Sequence, residues 1–261
     1  MVVYLLLSVL ACAQVDDSPE QTEARRWLDE IQATVEYDDD GNIVHVSAEH
    51  RRFTPQWAKF DYADLRKLEG VSTLESLDLW YKAVTDERLQ YISGLTQLKK
   101  LDLRQTKVTD AGMHHFSGLT SLEDLDLEVN DITDAGLVHL LPLKNLKRLV
   151  LTHVPITDEG AKTLSKLKSL EELILYDTKI TNAGLAHIGK LKNLRSLNVG
   201  HTKIRDDGLA HLAGLMYLEE LNLRSTHTTP DSFEHLTCLG SLLLLHHDVA
   251  YLMTDEHLDQ L

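Results

Sequence analysis

The chain has 261 residues, of which 43% are hydrophobic and 26% are charged, which is the composition of a folded soluble protein. Its formal net charge of −15 disfavours nucleic-acid phosphates and anionic lipid as partners, because binding to either needs an excess of Lys and Arg. The charge favours instead a protein or peptide partner with a basic or mixed-charge surface. The two cysteines, Cys12 and Cys238, are too few for a disulfide framework or a cysteine-rich zinc site.

Residues 1–13 form an uncharged apolar run that ends in Ala-Cys-Ala. The run is typical of the apolar region and cleavage site of a secretory signal peptide, although the usual basic residues before it are missing. It is too short to span a bilayer, so we expect no membrane span. Residues 9–12 also loosely match a bacterial lipobox with a lipid anchor on Cys12, and a third alternative is no signal at all. We expect an exported protein (periplasmic, cell-surface or secreted) if the run is a signal peptide, and a cytoplasmic one otherwise.

Residues 14–60 are predicted to form an N-terminal cap made of one helix and one hairpin. Ser18 is the expected N-cap of the helix. The apolar face of this helix consists of Ala24, Trp27, Leu28 and Ile31. Segments 34–37 and 43–47 flank the sequence Asp-Asp-Gly-Asn, which is a hairpin-turn signal. Such a cap closes the exposed end of the core that follows.

Residues 61–261 are predicted to be an array of about eight repeats. The pattern Leu-x-x-Leu-x-Leu recurs with a spacing of 24 residues and without any insertion. Its alternating leucines indicate a short strand with apolar side chains on one face. The copies begin at Leu74, Leu98, Leu122, Leu146, Leu170, Leu194, Leu218 and Leu242.

A second block follows each strand and reads Ile-Thr-Asp-Ala-Gly-Leu at residues 132–137. The Thr-Asp pair offers an N-cap oxygen and places negative charge at the start of a helix. Leu137, Leu140 and Leu143 then have the i, i+3 spacing of a helix. One such unit cannot bury its own leucines, so neighbouring units must stack around a shared core.

These repeats resemble those of the leucine-rich-repeat family. The Ile-Thr-Asp-x-Gly-Leu block is similar to the repeats of F-box leucine-rich-repeat proteins and of many secreted bacterial proteins. The chain lacks the longer, cysteine-punctuated repeats of the F-box type, so the bacterial secreted type is the closer likeness. The resemblance implies an α/β solenoid with a curved parallel sheet on the concave side and short helices on the convex side, preceded by the helix-hairpin cap. For function it implies binding, although the ligands differ widely across the family.

The residues that alternate with the strand leucines vary between copies, whereas the core positions are nearly constant. Because packing then does not dictate them, we predict that this concave face binds the partner. Trp and Tyr are frequent anchors of interfaces, and beside an acidic stripe they would suit Lys or Arg next to an apolar group. The predicted binding residues are Asp78, Trp80, Tyr81, Asp102, Arg104, Asp124, Asp126, Glu128, Arg148, His153, Tyr176 and Arg224.

A column of histidines is the most conspicuous alternative site. It consists of His115, His139, His187, His211 and His235, which occupy equivalent helix positions, with Thr163 interrupting the series. Equivalent positions on stacked helices lie roughly 8–10 Å apart, whereas zinc needs its ligands within about 2.0–2.1 Å. Repeat duplication explains the column without any ligand, so we predict no metal site.

No segment carries a recognisable catalytic motif. Residues 36–43 have the acidic spacing that starts a calcium loop, but Ser47 stands where that loop needs a bidentate Glu. A nucleophile elbow, a phosphate loop, a Cys-x-x-Cys pair and a His-Glu-x-x-His helix are all missing from the sequence. We therefore predict a non-catalytic module with no catalytic residue and no cofactor.

Two alternatives to a protein- or peptide-binding module stay open. The first is a substrate-recognition adaptor of the F-box leucine-rich-repeat type, associated with a ubiquitin ligase; it predicts an intracellular protein, so cleavage after residue 13 would exclude it. The second is a purely structural array without a specific ligand. It predicts that charge reversal at Asp102, Asp124 and Asp126 leaves every partner unchanged.

Overall fold

One continuous sheet runs through the computed structural model, which describes residues 18–31, 33–47, 62–80 and 84–248. The strands lie in sequence order, with an antiparallel first pair and parallel pairing from each later strand to the one before it. The strands are β1 Thr34–Tyr37, β2 Ile43–Ser47, β3 Ser76–Asp78, β4 Lys100–Asp102, β5 Asp124–Asp126, β6 Arg148–Val150, β7 Glu172–Ile174, β8 Ser196–Asn198, β9 Glu220–Asn222 and β10 Leu244–His246.

Short helices precede the sheet and connect its parallel strands. The α-helices are α1 Pro19–Glu30, α2 Asp158–Leu164, α3 Asn182–Ile188 and α4 Asp206–Leu209. The 3₁₀ helices span Tyr62–Leu68, Asp86–Tyr91, Met113–Gly118, Gly136–Leu140, Ala210–Leu212 and Pro230–Leu236. Within the described ranges, no helix has both the length and the apolar character needed to cross a bilayer.

The core is a stack of leucines that share one register across the strands. Leu77, Leu101 and Leu125 are direct neighbours on β3, β4 and β5, and each is at most 2% exposed. The same register continues strand by strand to Leu245 on β10. Each unit therefore buries its leucines against its neighbours, as a solenoid requires. The predicted α/β solenoid is confirmed.

The helix-hairpin cap is also confirmed, and a buried glutamine connects it to the array. Ser18 Oγ accepts a hydrogen bond from the Gln21 amide, as expected of an N-cap. The Gln21 side chain accepts from the Ile43 amide at 3.1 Å and donates to Thr73 Oγ1 at 3.0 Å, which links α1, the hairpin and the first repeat. Strand β2 continues the sheet by pairing with β3. Residues 1–17 and 48–61 lie outside the described residues, so the boundaries at 13 and 60 stay predictions.

A ladder of aspartates joins neighbouring repeats on the helix side. Thr157 caps its own helix, since its Oγ1 accepts from the Glu159 amide. Asp158 instead reaches the next repeat and accepts from Thr181 N at 2.8 Å and Thr181 Oγ1 at 2.7 Å. The same two bonds run from Thr109, Thr133, Thr157 and Thr229 to Asp86, Asp110, Asp134 and Asp206. The predicted N-cap pair therefore has a second role, which is to hold adjacent repeats in register.

Just beyond the strands, one non-glycine residue in each of several repeats adopts the left-handed conformation. Their φ angles lie between 52° and 57° at Gln105, Val129, His153, Asp177, His201 and Ser225. An L-residue pays roughly 1–2 kcal/mol for this conformation. The surrounding repeat must stabilise it, and in return the turn fixes where these six side chains stand.

Candidate binding face

Three rows of side chains cross the sheet face, with one residue from each repeat in each row. The first row is Ser76, Lys100, Asp124, Arg148, Glu172, Ser196, Glu220 and Leu244. The second row is Asp78, Asp102, Asp126, Val150, Ile174, Asn198, Asn222 and His246. The third row follows the last strand leucine and contains Trp80, Arg104, Glu128, Thr152, Tyr176, Gly200 and Arg224.

The second row has a structural role at most of its positions. Asp102 Oδ1 accepts a hydrogen bond from the Arg104 amide at 2.9 Å, and Asn198 Oδ1 accepts from the Gly200 amide at 3.0 Å. These are Asx turns, in which a short polar side chain caps the backbone two residues later. The same turn forms at Asp78, Asp126 and Asn222. The interpretation that packing does not dictate this face is therefore wrong for the second row, where Asp and Asn end the strand.

At the N-terminal end of the face, Arg104 contacts two other predicted residues, Trp80 and Asp102. Its guanidinium lies 5.1 Å from the centre of the Trp80 ring, and its Nε donates to both oxygens of Asp102, at 3.0 and 2.8 Å. The hydrogen bond to Asp102 raises the pKa of Arg104. Trp80 is half-buried, and Tyr81 lies outside the described residues. A partner at this end therefore meets an internally paired surface.

Arg148 connects three strands in the first row. Its Nη1 lies 2.9 Å from Asp124 Oδ1 and its Nε lies 3.1 Å from Glu172 Oε1. Asp126 Oδ2 is farther away, at 4.0 Å from Nη1. The guanidinium is already shared between carboxylates, so these contacts compete with any partner group that approaches it.

Asp126 is the most buried acid of the face, at 8% exposed. Burial raises its pKa to about 6, against the opposing hydrogen bond from the Glu128 amide, and the nearby Asp102 adds to the rise. The folded state thus holds a proton on this carboxyl more tightly than the unfolded state does. Between about pH 4 and pH 6 the carboxyl is protonated in the folded state and ionised in the unfolded state, so folding takes up a proton. Above about pH 6 it is ionised in both states, and the buried charge then lowers the free energy of unfolding.

Replacing Asp126 by Asn is expected to raise the free energy of unfolding by about 1–2 kcal/mol near pH 8, since the buried charge is removed. The amide keeps an acceptor for the Glu128 amide, as Asn198 and Asn222 do at equivalent positions. Near pH 4, where the carboxyl is already protonated in the fold, the gain should largely vanish. Urea denaturation at the two pH values measures both changes.

The matched control for this substitution is Asp78→Asn. Asp78 makes the same Asx turn, to the Trp80 amide, but it is only half-buried. We expect it to give a clearly smaller gain near pH 8. A gain from Asp126→Asn that is equal at both pH values, or no gain at either, would contradict the assignment of the cost to the buried charge.

The middle of the face is built around Tyr176. The centre of its ring lies 5.8 Å from the His153 ring, which stands edge-on, and 5.8 Å from the His201 ring, which is stacked on it. The Nδ1 atoms of both histidines donate to Asp177, at 2.7 Å from His153 and 2.6 Å from His201. These bonds, with that from His201 the stronger, lower the pKa of the Asp177 carboxyl. Two left-handed turns and a shared carboxylate thus fix both rings beside the tyrosine.

Gly200 gives the Tyr176 ring its space. A Cβ atom at residue 200 would lie 3.0 Å from Cδ2 of Tyr176 and 3.0 Å from the Arg224 carbonyl oxygen, so a larger residue would press on both. The sequence predicted His153 and Tyr176 as binding residues but missed their neighbours. We call the whole group the Tyr176 cluster, and its members are His153, Ile174, Tyr176, Asp177, Gly200 and His201. The sequence feature that could have indicated this cluster is Gly200, because it interrupts the side chains of the third row.

The other predicted residues lie apart from this cluster. Glu128 is half-buried in the third row, two repeats before Tyr176, and Arg224 is exposed two repeats after it. The face therefore does not bring the predicted residues to one point. It forms an ion-paired region over β3–β6 and an aromatic region at β7 and β8.

The histidine column lies on the helix side, away from this face. The His115 ring is 3.8 Å from that of His114, and burial lowers the pKa of His115. The His139 ring lies 6.4 Å from that of His114. In the part of the chain that the structure describes, no three His, Cys, Asp or Glu side chains converge as a metal site would require. Cys238 is an exposed free thiol, and Cys12 lies outside the described residues.

Comparison with known proteins agrees with the repeat architecture. Two family models, both described as leucine-rich repeat, match residues 72–132 and residues 143–165 with 190–213. No curated protein matches the sequence.

Among solved structures, internalin C2 of Listeria monocytogenes is 24% identical, with a TM-score of 0.63 over 88% of this chain and 92% of its own. A second internalin of that organism, inlF, is 19% identical, with a TM-score of 0.49 over 86% of this chain and 74% of its own. The likeness to internalin C2 shows a shared fold. The matched family models and the stacked units show that the chain is built of leucine-rich repeats.

Proposed function

We propose that this chain is a non-catalytic module that binds a protein or peptide through its concave sheet face. The observation that carries the proposal is the third row, where aromatic and charged side chains such as Trp80, Tyr176 and Arg224 replace one another at a single repeat position. The leucines behind them stay constant and fully buried, so the scaffold does not need this variation. A rigid sheet also loses little conformational entropy when it binds.

The charge of the face favours a basic partner. Strands β5 to β7 and Glu128, two residues beyond β5, carry four carboxylates, of which Asp124, Glu128 and Glu172 are partly exposed and Asp126 is buried, against the single guanidinium of Arg148. A partner that carries Lys or Arg is attracted to such a surface, whereas a nucleic-acid backbone is repelled.

We also propose that the chain is exported by a bacterium, with residues 1–13 as its signal peptide. The apolar run ending in Ala-Cys-Ala and the fold shared with internalin C2 support this location. Mass spectrometry of the mature N-terminus tests it. Cleavage after residue 13 is the expected result, a lipid-modified Cys12 would point to an anchored form, and an intact start would favour the intracellular adaptor of the F-box type.

Selection from a random dodecapeptide library displayed on phage tests the binding proposal. The full chain should enrich peptides with an excess of Lys or Arg, and their affinity should fall about tenfold or more in the Glu128→Lys variant. Glu128 is half-buried in the third row of the face, so this reversal alters the potential of the face without opening the core.

The matched control is Glu159→Lys, which reverses the same charge on α2, on the helix side, where the Glu159 side chain is 74% exposed. It should leave peptide affinity unchanged. If nothing is enriched, or if both reversals affect binding equally, the concave face is not a binding site and the purely structural array is the better interpretation.

A further inference from the structure

We infer that the Tyr176 cluster is the anchor point of the concave face and that it receives an apolar or aromatic side chain from an extended, basic peptide segment. The inference rests on the proposed function and gives it a location and a partner chemistry. Three independent features of the chain support it: a break in the second row, the space made by Gly200, and the acidic surface beside the cluster.

The second row loses its structural role where it passes the cluster. Asp or Asn caps the backbone two residues later on β3, β4, β5, β8 and β9. On β6 and β7 the row carries Val150 and Ile174 instead, and neither side chain can accept a hydrogen bond. Two adjacent repeats thus lack this cap and carry an apolar side chain at its position. Val150 is buried, at 3% exposed, and Ile174 beside it is half-buried, so Ile174 is the apolar side chain of this pair that a partner can reach.

The third row changes at the same place. Tyr176 stands next to Ile174 along the strand direction, and Gly200 leaves room for its ring. His153 and His201 stand on either side of that ring, each fixed by a hydrogen bond to Asp177. An aromatic ring held rigidly beside an apolar side chain is the arrangement that interface anchors use, because little side-chain entropy remains to be lost on binding.

The acidic surface beside the cluster defines the rest of the partner. Glu128 lies two strands away from Tyr176 in the same row, which at about 4.8 Å per strand is roughly 10 Å. An extended peptide covers that distance in about three residues, at about 3.3 Å each. A segment with an apolar or aromatic residue and a Lys or Arg about three positions away therefore matches both regions at once.

The test uses Ile174→Asn in the full chain, with peptides from the dodecapeptide selection as the probe. Asparagine restores the Asx turn that Asn198 and Asn222 make at the equivalent positions. The variant should therefore keep the midpoint of urea unfolding of the wild-type chain while the dissociation constant of the selected peptides rises about tenfold or more. Gly200→Ala, whose Cβ would lie 3.0 Å from both the Tyr176 ring and the Arg224 carbonyl oxygen, should weaken the same peptides.

Val138→Asn is the matched control, since it removes an aliphatic residue that is 48% exposed on the helix side. It should not change peptide affinity. Peptides that lose affinity in Glu128→Lys but bind Ile174→Asn and Gly200→Ala as they bind the wild type would overturn the anchor and leave the concave-face proposal intact. A selection that yields no binder, or binders without an apolar residue near a basic one, would also overturn the anchor.

Discussion

Alanine in place of Gly184 is expected to lower the free energy of unfolding by about 2–3 kcal/mol, although alanine is the better helix former by about 1 kcal/mol. Gly184 lies inside α3, and a Cβ atom there would stand 2.5 Å from Asp158 Oδ1 of the preceding repeat. That oxygen already accepts from the Thr181 amide at 2.8 Å, so it cannot move away without breaking the ladder between the repeats. Chemical denaturation followed by circular dichroism measures the loss.

A double-mutant cycle with Asp158→Ala isolates the cause. Removing the carboxylate alone sacrifices its bonds to Thr181, but in that background Gly184→Ala should become nearly neutral because its Cβ then has space. Gly94→Ala is the matched control, since a Cβ there meets nothing within 4 Å. If the two alanines cost the same, or if the two changes at Gly184 and Asp158 are simply additive, the glycine is not required by the aspartate ladder.

The repeat architecture could be predicted from the sequence because its cause is local and periodic. A spacing of 24 residues fixes the register of the leucines, and a strand–helix unit that cannot bury its own apolar face must stack. The cap could be predicted equally well, because a Ser N-cap and an Asp-Gly turn are each recognised from a few neighbouring residues. The strand bounds predicted at 34–37 and 43–47 agree with β1 and β2.

Contacts between repeats were much harder to predict, because they join residues that are 24 positions apart in ways the periodicity does not specify. The role of Asp158 as an acceptor for Thr181 looked like a helix cap from sequence alone. The raised pKa of Asp126 depends in part on the neighbouring strand, since Asp102 on β4 adds to the effect of burial. The concave residues could therefore be named as a surface, but not divided into those that cap the backbone and those that are free for a partner.

That division changes where binding is best sought. The acidic stripe and Trp80 looked like the strongest anchor from sequence, yet Asp78, Asp102 and Asp126 cap backbone amides, and Arg104 lies over the Trp80 ring. A residue type that is repeated across the copies indicates a structural role. A copy that departs from the repeated type indicates a position that does not perform this role. On this reasoning the interruptions at β6 and β7 are more informative than the charges before them.

Truncating Phe116 to alanine is expected to lower the free energy of unfolding by about 3–5 kcal/mol, more than any of the other substitutions. Phe116 is fully buried in the 3₁₀ helix Met113–Gly118, and every other repeat places an aliphatic residue at its position. Those residues are Leu68, Ile92, Leu140, Leu164, Ile188, Leu212 and Leu236. The cavity would lie between neighbouring helices, and each repeat of a solenoid contacts only its neighbours. The cap and first repeats should therefore separate from the rest of the array.

The tryptophans make this separation measurable, because Trp27, Trp57 and Trp80 all precede β4 while circular dichroism reports on the whole chain. In Phe116→Ala the fluorescence transition in urea should come at a lower concentration than the dichroism transition, whereas the wild-type chain should show coincident transitions. Phe116→Leu, which restores the aliphatic residue of the other repeats, is the matched control and should cost about 1 kcal/mol without separating the two probes. Coincident transitions in Phe116→Ala would mean that the array unfolds as one unit despite the cavity, so that the coupling between repeats exceeds the contribution of any single core residue.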